Sequence, residues 1–328
     1  GGKSDPADGR IGFIGAGNYA GRVLIPAFRS AGATLDTVVS AGGVSAVHFG
    51  KKFGFSKAST EVSSVIENSE IDTVVIATRH NSHFDQVIRA FKAGKHVFCE
   101  KPLCLTLDEL SEIEAEAANR KDRLRMVGFN RRFSPHILKI KSLITDINVP
   151  KSFIMTVNAG AIPSEHWTQQ ADVGGGRIVG EACHFIDLLR YLAGASIYSF
   201  NVTPIGIHPK IAVREDKVII TLTFEHGSHG VINYLANGHK AIPKERLEIF
   251  VDGKFLELGN YRQIRGYGWN RLSKMRTLSQ DKGQVTCVKR FIESIKQATD
   301  APIPREEIFE VSRVSIEVAN AALACSET

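Results

Sequence analysis

The chain has 328 residues, of which 43% are hydrophobic and 23% are charged, a composition typical of globular proteins. A net charge of +6 without long basic runs disfavours nucleic-acid binding, and no apolar run approaches the ~18 residues of a membrane span. The five cysteines are scattered and form no C-x-x-C pair, which favours a reducing compartment over a disulfide framework. We therefore expect a cytoplasmic protein that binds neither membrane nor nucleic acid.

The first ten residues, GGKSDPADGR, contain no apolar segment, and we interpret them as a flexible lead-in rather than a signal peptide. After them, short apolar runs alternate with stretches of helical spacing as far as residue 130. Continuous apolar strands that alternate with helices predict a parallel sheet covered on both faces. The predicted strands are 10–17, 35–43, 71–78, 95–102 and 123–130, and the predicted helices are 18–32, 61–69, 82–94 and 107–121.

Beyond residue 130 the strand-like segments lie closer together, which predicts a mostly antiparallel sheet. Asp252-Gly253 stands between two alternating runs and predicts a two-residue hairpin turn. The predicted strands are 151–160, 197–207, 216–227, 229–238 and 246–259, and the predicted helices are 181–193, 284–298 and 305–324. This part of the chain is therefore predicted to form an α+β domain.

The segment GAGNYA places Gly15 and Gly17 after a predicted strand and at the start of a predicted helix, and Ala20 holds the third small-residue position. In such a loop the first glycine permits a tight turn, the second admits a pyrophosphate, and the third small residue allows close packing. Together with Asn18 and Tyr19, this loop is predicted to bind a dinucleotide. A glycine turn in another kind of α/β protein is the alternative. We thus predict a Rossmann domain over 1–130 and an α+β domain with an open sheet over 131–328.

The second predicted strand ends at Ser40, where dinucleotide-binding folds usually carry an Asp or Glu for the ribose 2′-hydroxyl. Without a carboxylate at this point a 2′-phosphate is not repelled, and Ser40 could hydrogen-bond to it. No Arg follows Ser40, however, so the sequence leaves the choice between NAD and NADP open.

Four motifs lie beyond the glycine loop: ATRHNSHF (77–84), CEKPLCLT (99–106), GFNRRF (128–133) and CHFIDLLRYLAG (183–194). Together with GAGNYA they resemble the Gfo/Idh/MocA oxidoreductases, which include glucose-fructose oxidoreductase and inositol dehydrogenase. The resemblance implies a Rossmann domain, a second domain whose open sheet serves oligomer contacts, and nicotinamide-dependent chemistry on sugars or cyclitols. It also implies a homo-oligomer, and some similar proteins are fused to another enzyme module, which a chain without a starting Met would fit.

Lys101 follows a predicted parallel strand, at the edge where open α/β sheets bind ligands. The family's E-K-P motif implies that Lys101 binds the substrate hydroxyl and moves its proton, while Glu100 orients Lys101 or the cofactor. The residues after the neighbouring strand are expected to line the cofactor. They are Thr78, Arg79 and Asn81.

In the segment GGGRIVGEACHFID, the family pattern implies His184 as a general acid/base. The pattern also has an Asp four residues before this His, where the chain has Gly180; the adjacent Glu181 is the candidate replacement. Asp187 is expected to orient His184 or to cap structure rather than to react. We predict no metal or thiol site, because Cys183 and His184 diverge on a helix and too few ligands converge.

Three further residues are candidates for substrate contacts. Arg131 and Arg132 follow a strand end, where one could meet an anionic group and the other could be a solvated surface charge. Trp167 could stack on a sugar, although aromatic core packing is the simpler interpretation. With Asp187, these residues form the predicted substrate set.

The leading hypothesis is an NAD(P)-dependent oxidoreductase that acts on a sugar, nucleotide sugar or cyclitol, in which the substrate can be anionic or nucleotide-linked. The missing Asp at Gly180 supports a second hypothesis, a non-catalytic NAD(P)-binding sensor. A glycosidase that uses NAD without net redox change is the third. The sequence leaves the substrate, the reaction direction and the oligomer size open.

Overall fold

The computed structural model describes residues 10–120, 123 and 125–327; the lead-in interpretation of the first nine residues concerns a segment outside this range. The chain divides into two compact units. The first contains the residues up to Phe129 and returns at Gln284–Phe309. The second contains Asn130–Gly283 and the residues from Glu310 onward.

In its described residues, the first unit is built on a six-stranded parallel sheet of order β3-β2-β1-β4-β5-β6. The central strands are buried on both faces, as their continuous apolar runs predict. The strand order reverses between β1 and β4, which is where such sheets bind ligands. The strands are β1 (Arg10–Ile14), β2 (Thr34–Val39), β3 (Lys57–Ser59), β4 (Thr73–Ile76), β5 (His96–Cys99) and β6 (Arg125–Val127).

Helices connect these strands, and local signals set their ends. Thr106 caps α5, because its side chain accepts from Glu109 N while the Glu109 side chain reaches back to the cap. Gly43 and Gly54, both at positive φ, bound α2. The helices are α1 (Ile25–Ser30), which continues a π-helical turn over Ala20–Leu24, α2 (Val44–Phe53), α3 (Ser63–Ile66), α4 (His83–Lys92) and α5 (Leu107–Ala118).

Residues 284–309 belong to the first unit, whereas the sequence analysis assigned them to a second domain over 131–328. The reason is packing of the helix Gln284–Gln297 against α1. Its Phe291 ring lies 5.6 Å from the Phe98 ring, and its Lys296 Nζ donates to Gly32 O over 3.1 Å. Phe98 of the first sheet is thus covered by a helix from near the end of the chain.

The second unit contains an eight-stranded sheet of order β14-β13-β12-β11-β7-β10-β9-β8 in the described residues. Among the strands that the structure describes in this sheet, β7 and β10 pair in parallel and the other pairs are antiparallel, which confirms the predicted sheet type. The strands are β7 (Ser152–Asn158), β8 (Ile197–Pro204), β9 (Lys217–Phe224), β10 (His229–Leu235), β11 (Glu245–Val251), β12 (Lys254–Gly259), β13 (Gln263–Tyr267) and β14 (Lys274–Arg276).

The hairpin between β11 and β12 confirms the prediction at Asp252-Gly253. Both residues have positive φ, 49° and 67°, and Val251 pairs with Lys254 across the turn. This is the backbone that a two-residue turn of twisted antiparallel strands requires.

The remaining helices of the second unit include the one that carries the predicted acid/base. A π-helical turn over Ile178–Ala182 continues into α7 (Cys183–Ala193). A Cβ added at Gly230 of β10 would lie 2.7 Å from Leu189 Cδ1, so this glycine permits α7 to approach the sheet closely. Of the other helices, α6 (Pro135–Ile144) belongs to the second unit and α8 (Gln284–Gln297) to the first, while α9 (Arg305–Glu327) begins in the first unit and continues in the second.

None of the helices in the described part of the chain combines the length and the apolar character that crossing a membrane requires.

Candidate functional site

The loop after β1 has the shape that the glycine motif predicts. Gly15 has φ 104°, its N donates to Val39 O over 3.0 Å, and an added Cβ would lie 2.4 Å from Ala77 O. Only glycine fits there, because both the conformation and the adjacent backbone exclude a side chain. The turn is therefore fixed by contacts between three neighbouring strand ends.

Gly17 differs, because no atom lies within 4 Å of a Cβ added there. A side chain would instead occupy the exposed space in front of the helix start, where backbone N–H groups favour phosphate. Ala20 is 1% exposed and fills the third motif position as predicted. The adjacent Gly21 completes the packing, since its added Cβ would lie 2.2 Å from the Phe49 ring of α2. These residues fit a dinucleotide pyrophosphate, and Asn18 and Tyr19 are exposed beside it.

At the end of β2, the Ser40 side chain accepts from Ala46 N over 3.1 Å and so tethers the start of α2. Lys51 and Lys52 lie in the last turn of this helix, roughly 10 Å further along at 1.5 Å per residue. The geometry therefore leaves Ser40 beside the predicted ribose position without a cation from that end of α2. The choice between NAD and NADP stays open.

A buried histidine joins the loops that follow β4 and β5. His83 is 0% exposed; its Nδ1 lies 2.6 Å from Pro102 O and its Nε2 lies 3.2 Å from Thr78 O. A carbonyl oxygen carries no hydrogen, so the shorter contact requires a proton on Nδ1. Burial lowers the pKa of His83 against both carbonyls, and the nearby Lys101 lowers it further. The ring is therefore neutral and donates to the Lys101–Pro102 loop.

Lys101 itself lies half-buried directly after β5. Glu100 is 8% exposed, and its Oε1 would lie 2.6 Å from a Cβ added at Gly128, so that glycine makes room for the carboxylate. Burial raises the pKa of the preceding Cys99 thiol, and Glu100 raises it further, so this cysteine is not a nucleophile. Thr78 is half-buried after β4, and Arg79 and Asn81 are exposed there. The predicted residues after β1, β2, β4 and β5 thus lie along one edge of the sheet.

In the second unit, Glu181 lies at the centre of a hydrogen-bonded cluster. Its carboxylate accepts from Arg177 over 2.9 Å, from the Tyr234 hydroxyl over 2.5 Å, and from the Lys244 ammonium. Burial alone would raise the pKa of Glu181, but Lys244 and the hydrogen bonds outweigh it and hold the pKa well below its usual range. Glu181 is therefore a permanent carboxylate at neutral pH. A catalytic role for it stays a prediction.

The two arginines of the predicted substrate set are buried in ion pairs. Arg131 makes two hydrogen bonds to Glu245, of 2.9 and 2.8 Å, and Arg132 makes two to Asp187, of 3.0 and 2.5 Å. Lys282 Nζ adds a third bond to Glu245 over 2.8 Å. Such geometry anchors the turn Asn130–Phe133, so neither arginine is the solvated surface charge considered above. Contact of these residues with substrate is untested.

His184 lies in the first turn of α7 and is 6% exposed. Trp167 is half-buried in a short 3-10 turn. Position 174 requires a glycine, because an added Cβ would lie 2.4 Å from the Cα atom of Thr168. Within the described residues, no three His, Cys, Asp or Glu side chains converge in the way that a metal ion requires.

Two sequence models of one family match the chain. The first, described as "Oxidoreductase family, NAD-binding Rossmann fold", matches residues 9–129, and the second, described as "Oxidoreductase family, C-terminal alpha/beta domain", matches residues 141–255. The chain belongs to the Gfo/Idh/MocA oxidoreductase family.

Curated relatives and solved structures agree with this membership. The chain is 29% identical to myo-inositol 2-dehydrogenase of Thermotoga maritima over 61% of its own length and 60% of that protein. It is 30% identical to inositol 2-dehydrogenase of Rhizobium meliloti over 71% of its own length and 67% of that protein. The chain thus spans less than two thirds of the first relative. A structure of levoglucosan dehydrogenase with NADH and levoglucosan shares the fold, with a TM-score of 0.83 at 21% identity over 96% and 97% of the two chains.

The first match confirms that this Gfo/Idh/MocA chain has the predicted Rossmann domain. It also confirms the prediction that this domain binds a nicotinamide dinucleotide. The Gly15 loop, Thr78 and Lys101 lie inside that match, and His184 and Glu181 lie inside the second. Arg131 and Arg132 fall between the two matched segments. The individual roles of these residues stay predictions.

Proposed function

We propose that this protein is an NAD(P)-dependent oxidoreductase that moves a hydride to or from a CH–OH carbon of a sugar or cyclitol. The observation that supports it best is the sheet edge of the first unit. There the glycine loop leaves open space at Gly17, and Lys101 follows β5 on the same edge. Family membership and relatives named as inositol dehydrogenases support the same chemistry.

In this proposal the nicotinamide, when bound, supplies the hydride acceptor or donor. The N–H groups at the start of the helix after Gly17 hold the phosphates, as helix N-termini do for anions. Lys101 binds the reacting hydroxyl at its oxygen and moves its proton, and His184 serves as a second general acid/base. Glu181, as a permanent carboxylate, contributes charge and position rather than a proton.

The decisive experiment uses a panel of sugars, cyclitols and nucleotide sugars, followed through the absorbance of reduced nicotinamide with NAD and with NADP. We expect at least one neutral or anionic sugar to be turned over. Lys101→Ala should lower turnover by about 10²- to 10⁴-fold, the usual contribution of a proton-transfer group, while cofactor affinity is retained. Unchanged turnover in this variant would remove Lys101 from the mechanism.

The sensor hypothesis retains one supporting observation, since position 180 is a buried glycine within the π-helical turn. A pure sensor would bind dinucleotide but reduce none of it with any substrate in the panel. Sustained reduction by any sugar excludes it. A cytoplasmic location, a homo-oligomer and the absence of nucleic-acid partners stay predictions.

A further inference from the structure

A cavity of about 590 Å³ lies in the second unit where β7 ends, beside the loop between β10 and β11. Its volume falls within the range of small-molecule sites. The residues on which the argument rests are Asn158, Gly160, Lys240, Ile242 and Lys244. None of them belongs to the predicted substrate set.

Hydrogen bonds hold one wall of the cavity in place. Asn158 Nδ2 donates to His239 O over 2.9 Å and to Ile242 O over 3.0 Å, so the loop is tied to the end of β7. Gly238 permits this contact, because an added Cβ would lie 2.1 Å from Asn158 Oδ1. The wall is therefore formed before any ligand arrives, which lowers the entropic cost of binding.

A buried arginine holds the segment that follows Asn158. The Arg177 side chain is 3% exposed; it donates to Gly160 O over 2.5 Å and to Ala159 O over 3.2 Å. The same guanidinium pairs with Glu181 over 2.9 Å. Lys244 lines the cavity and bonds to the same Glu181, so the cavity borders the charged cluster around Glu181.

Cations outnumber carboxylates here. Lys240 and Lys244 line the cavity, and no Asp or Glu is among its lining residues. Glu181 accepts from both Lys244 and Arg177, and Lys240 adds a further cation to the lining. An ammonium has three donors, of which Lys244 gives one to Glu181 and can direct others to a ligand. Such a site favours an anion, and lysine is a common phosphate ligand.

We propose that this cavity binds the anionic group of a sugar acid or sugar phosphate, which identifies the substrate class of the proposed oxidoreductase as anionic sugars. The assignment of a substrate class rests on the proposed function, whereas the binding of an anion in the cavity does not. Carboxylate and phosphate share the required charge, and the test below separates them.

The test is isothermal titration calorimetry of the full chain without cofactor, using D-glucuronate, D-glucose 6-phosphate and D-glucose. We expect at least one anion to bind about tenfold more tightly than glucose, since a hydrogen bond to a charged group contributes this much. Lys244→Met should remove that preference. Lys210→Met, which changes an exposed lysine of the same unit that does not line the cavity, should preserve it.

Lys244→Met also removes a partner of Glu181, so Lys240→Met provides a second variant, expected to weaken anion binding about threefold. Thermal unfolding of each variant checks that it is folded. Glucose binding as tightly as both anions, no saturable binding of either anion, or unchanged anion affinity in both folded variants would each overturn the proposal. Anion binding without turnover of any sugar would leave the cavity assignment intact and remove the oxidoreductase function instead.

Discussion

The sheet edge of the first unit and the charged centre of the second, by which we mean the buried ion pairs of Arg131 and Arg132, hold their candidate residues in different ways. In the first, backbone contacts shape the loops: Gly15 N donates to Val39 O, and His83 contacts two loop carbonyls. In the second, side-chain charges do so, through the pairs Arg131–Glu245 and Arg132–Asp187.

This difference separates two kinds of sensitivity. Half-exposed or exposed loop residues such as Lys101 and Gly17 can change with little effect on unfolding, because few buried contacts are lost. A buried ion pair cannot lose one partner without leaving an uncompensated charge. Mutations at the sheet edge should therefore affect function first, and mutations in the charged centre should affect stability first.

The largest expected effect is that of Asp187→Asn. It leaves the Arg132 guanidinium buried opposite a neutral amide and should lower the free energy of unfolding by about 3–5 kcal/mol. Urea denaturation measures this loss. The double variant Arg132→Met/Asp187→Leu should recover most of it, since no buried charge then remains unpaired. Wild-type stability in Asp187→Asn combined with lost turnover would contradict a structural role and place Asp187 at the substrate.

A smaller effect is expected from pH through Glu245. Burial raises the pKa of this carboxyl, but Arg131 and Lys282 outweigh burial and bring it to about 2, from an ordinary 4.5. A depressed pKa stabilises the fold fully above the unfolded value, and this stability is lost as pH falls from about 4.5 towards 2. The loss should approach about 3 kcal/mol at 1.36 kcal/mol per unit.

Denaturant titrations at several acidic pH values measure this dependence. Glu245→Gln should be less stable at neutral pH but should depend less on pH, so that the two proteins converge in stability as the pH approaches about 2. Equal acid dependence in the two proteins would show that Glu245 is not the responsible group.

His83 offers a sharper test of the first unit, because two near-isosteric replacements each keep one of its contacts. Asn places its amide near the Nδ1 position and can still donate to Pro102 O, whereas Gln places its amide near Nε2 and can reach only Thr78 O. We expect His83→Gln to lower kcat by about 10- to 100-fold through displacement of Lys101. His83→Asn should retain most of the wild-type kcat. Equal kcat values for the two variants would contradict this positioning role.

The smallest expected effect is that of Gly17→Ala. The added methyl meets no protein atom, so stability should change by less than about 0.5 kcal/mol. Dinucleotide affinity should fall about tenfold, because the methyl occupies the phosphate approach. Fluorescence titration with NADH measures it. Gly15→Ala is the matched comparison and should lose stability as well, since its methyl collides with Ala77 O.

Much of the fold could be predicted from local signals. The apolar strands of the first sheet, the glycine loop and the hairpin at Asp252-Gly253 all depend on neighbours in sequence. Helix α2 was missed because its apolar residues Val44 and Val47 are exposed, which weakens the periodic pattern. Helix α6 was also missed, although Ile137, Ile140 and Ile144 keep helical spacing and Pro135 begins it.

The candidate site was less predictable because its contacts link distant residues. Arg131 pairs with a glutamate 114 positions away, and Arg132 with an aspartate 55 positions away. No local pattern predicts such a partner, so the sequence analysis placed both arginines in the predicted substrate set. The neutral donor role of His83 depends equally on Pro102, 19 residues later.

The packing of Phe291 against Phe98 has a consequence for how the protein is made. Translation completes all of residues 130–283 before the helix carrying Phe291 leaves the ribosome. The surface around Phe98 in the newly synthesised first unit lacks its covering helix for that whole interval, so chaperones have time to bind there. A truncated gene product ending at Phe129 would keep this surface permanently exposed and should aggregate, whereas co-expression with a fragment spanning 284–309 should improve its yield.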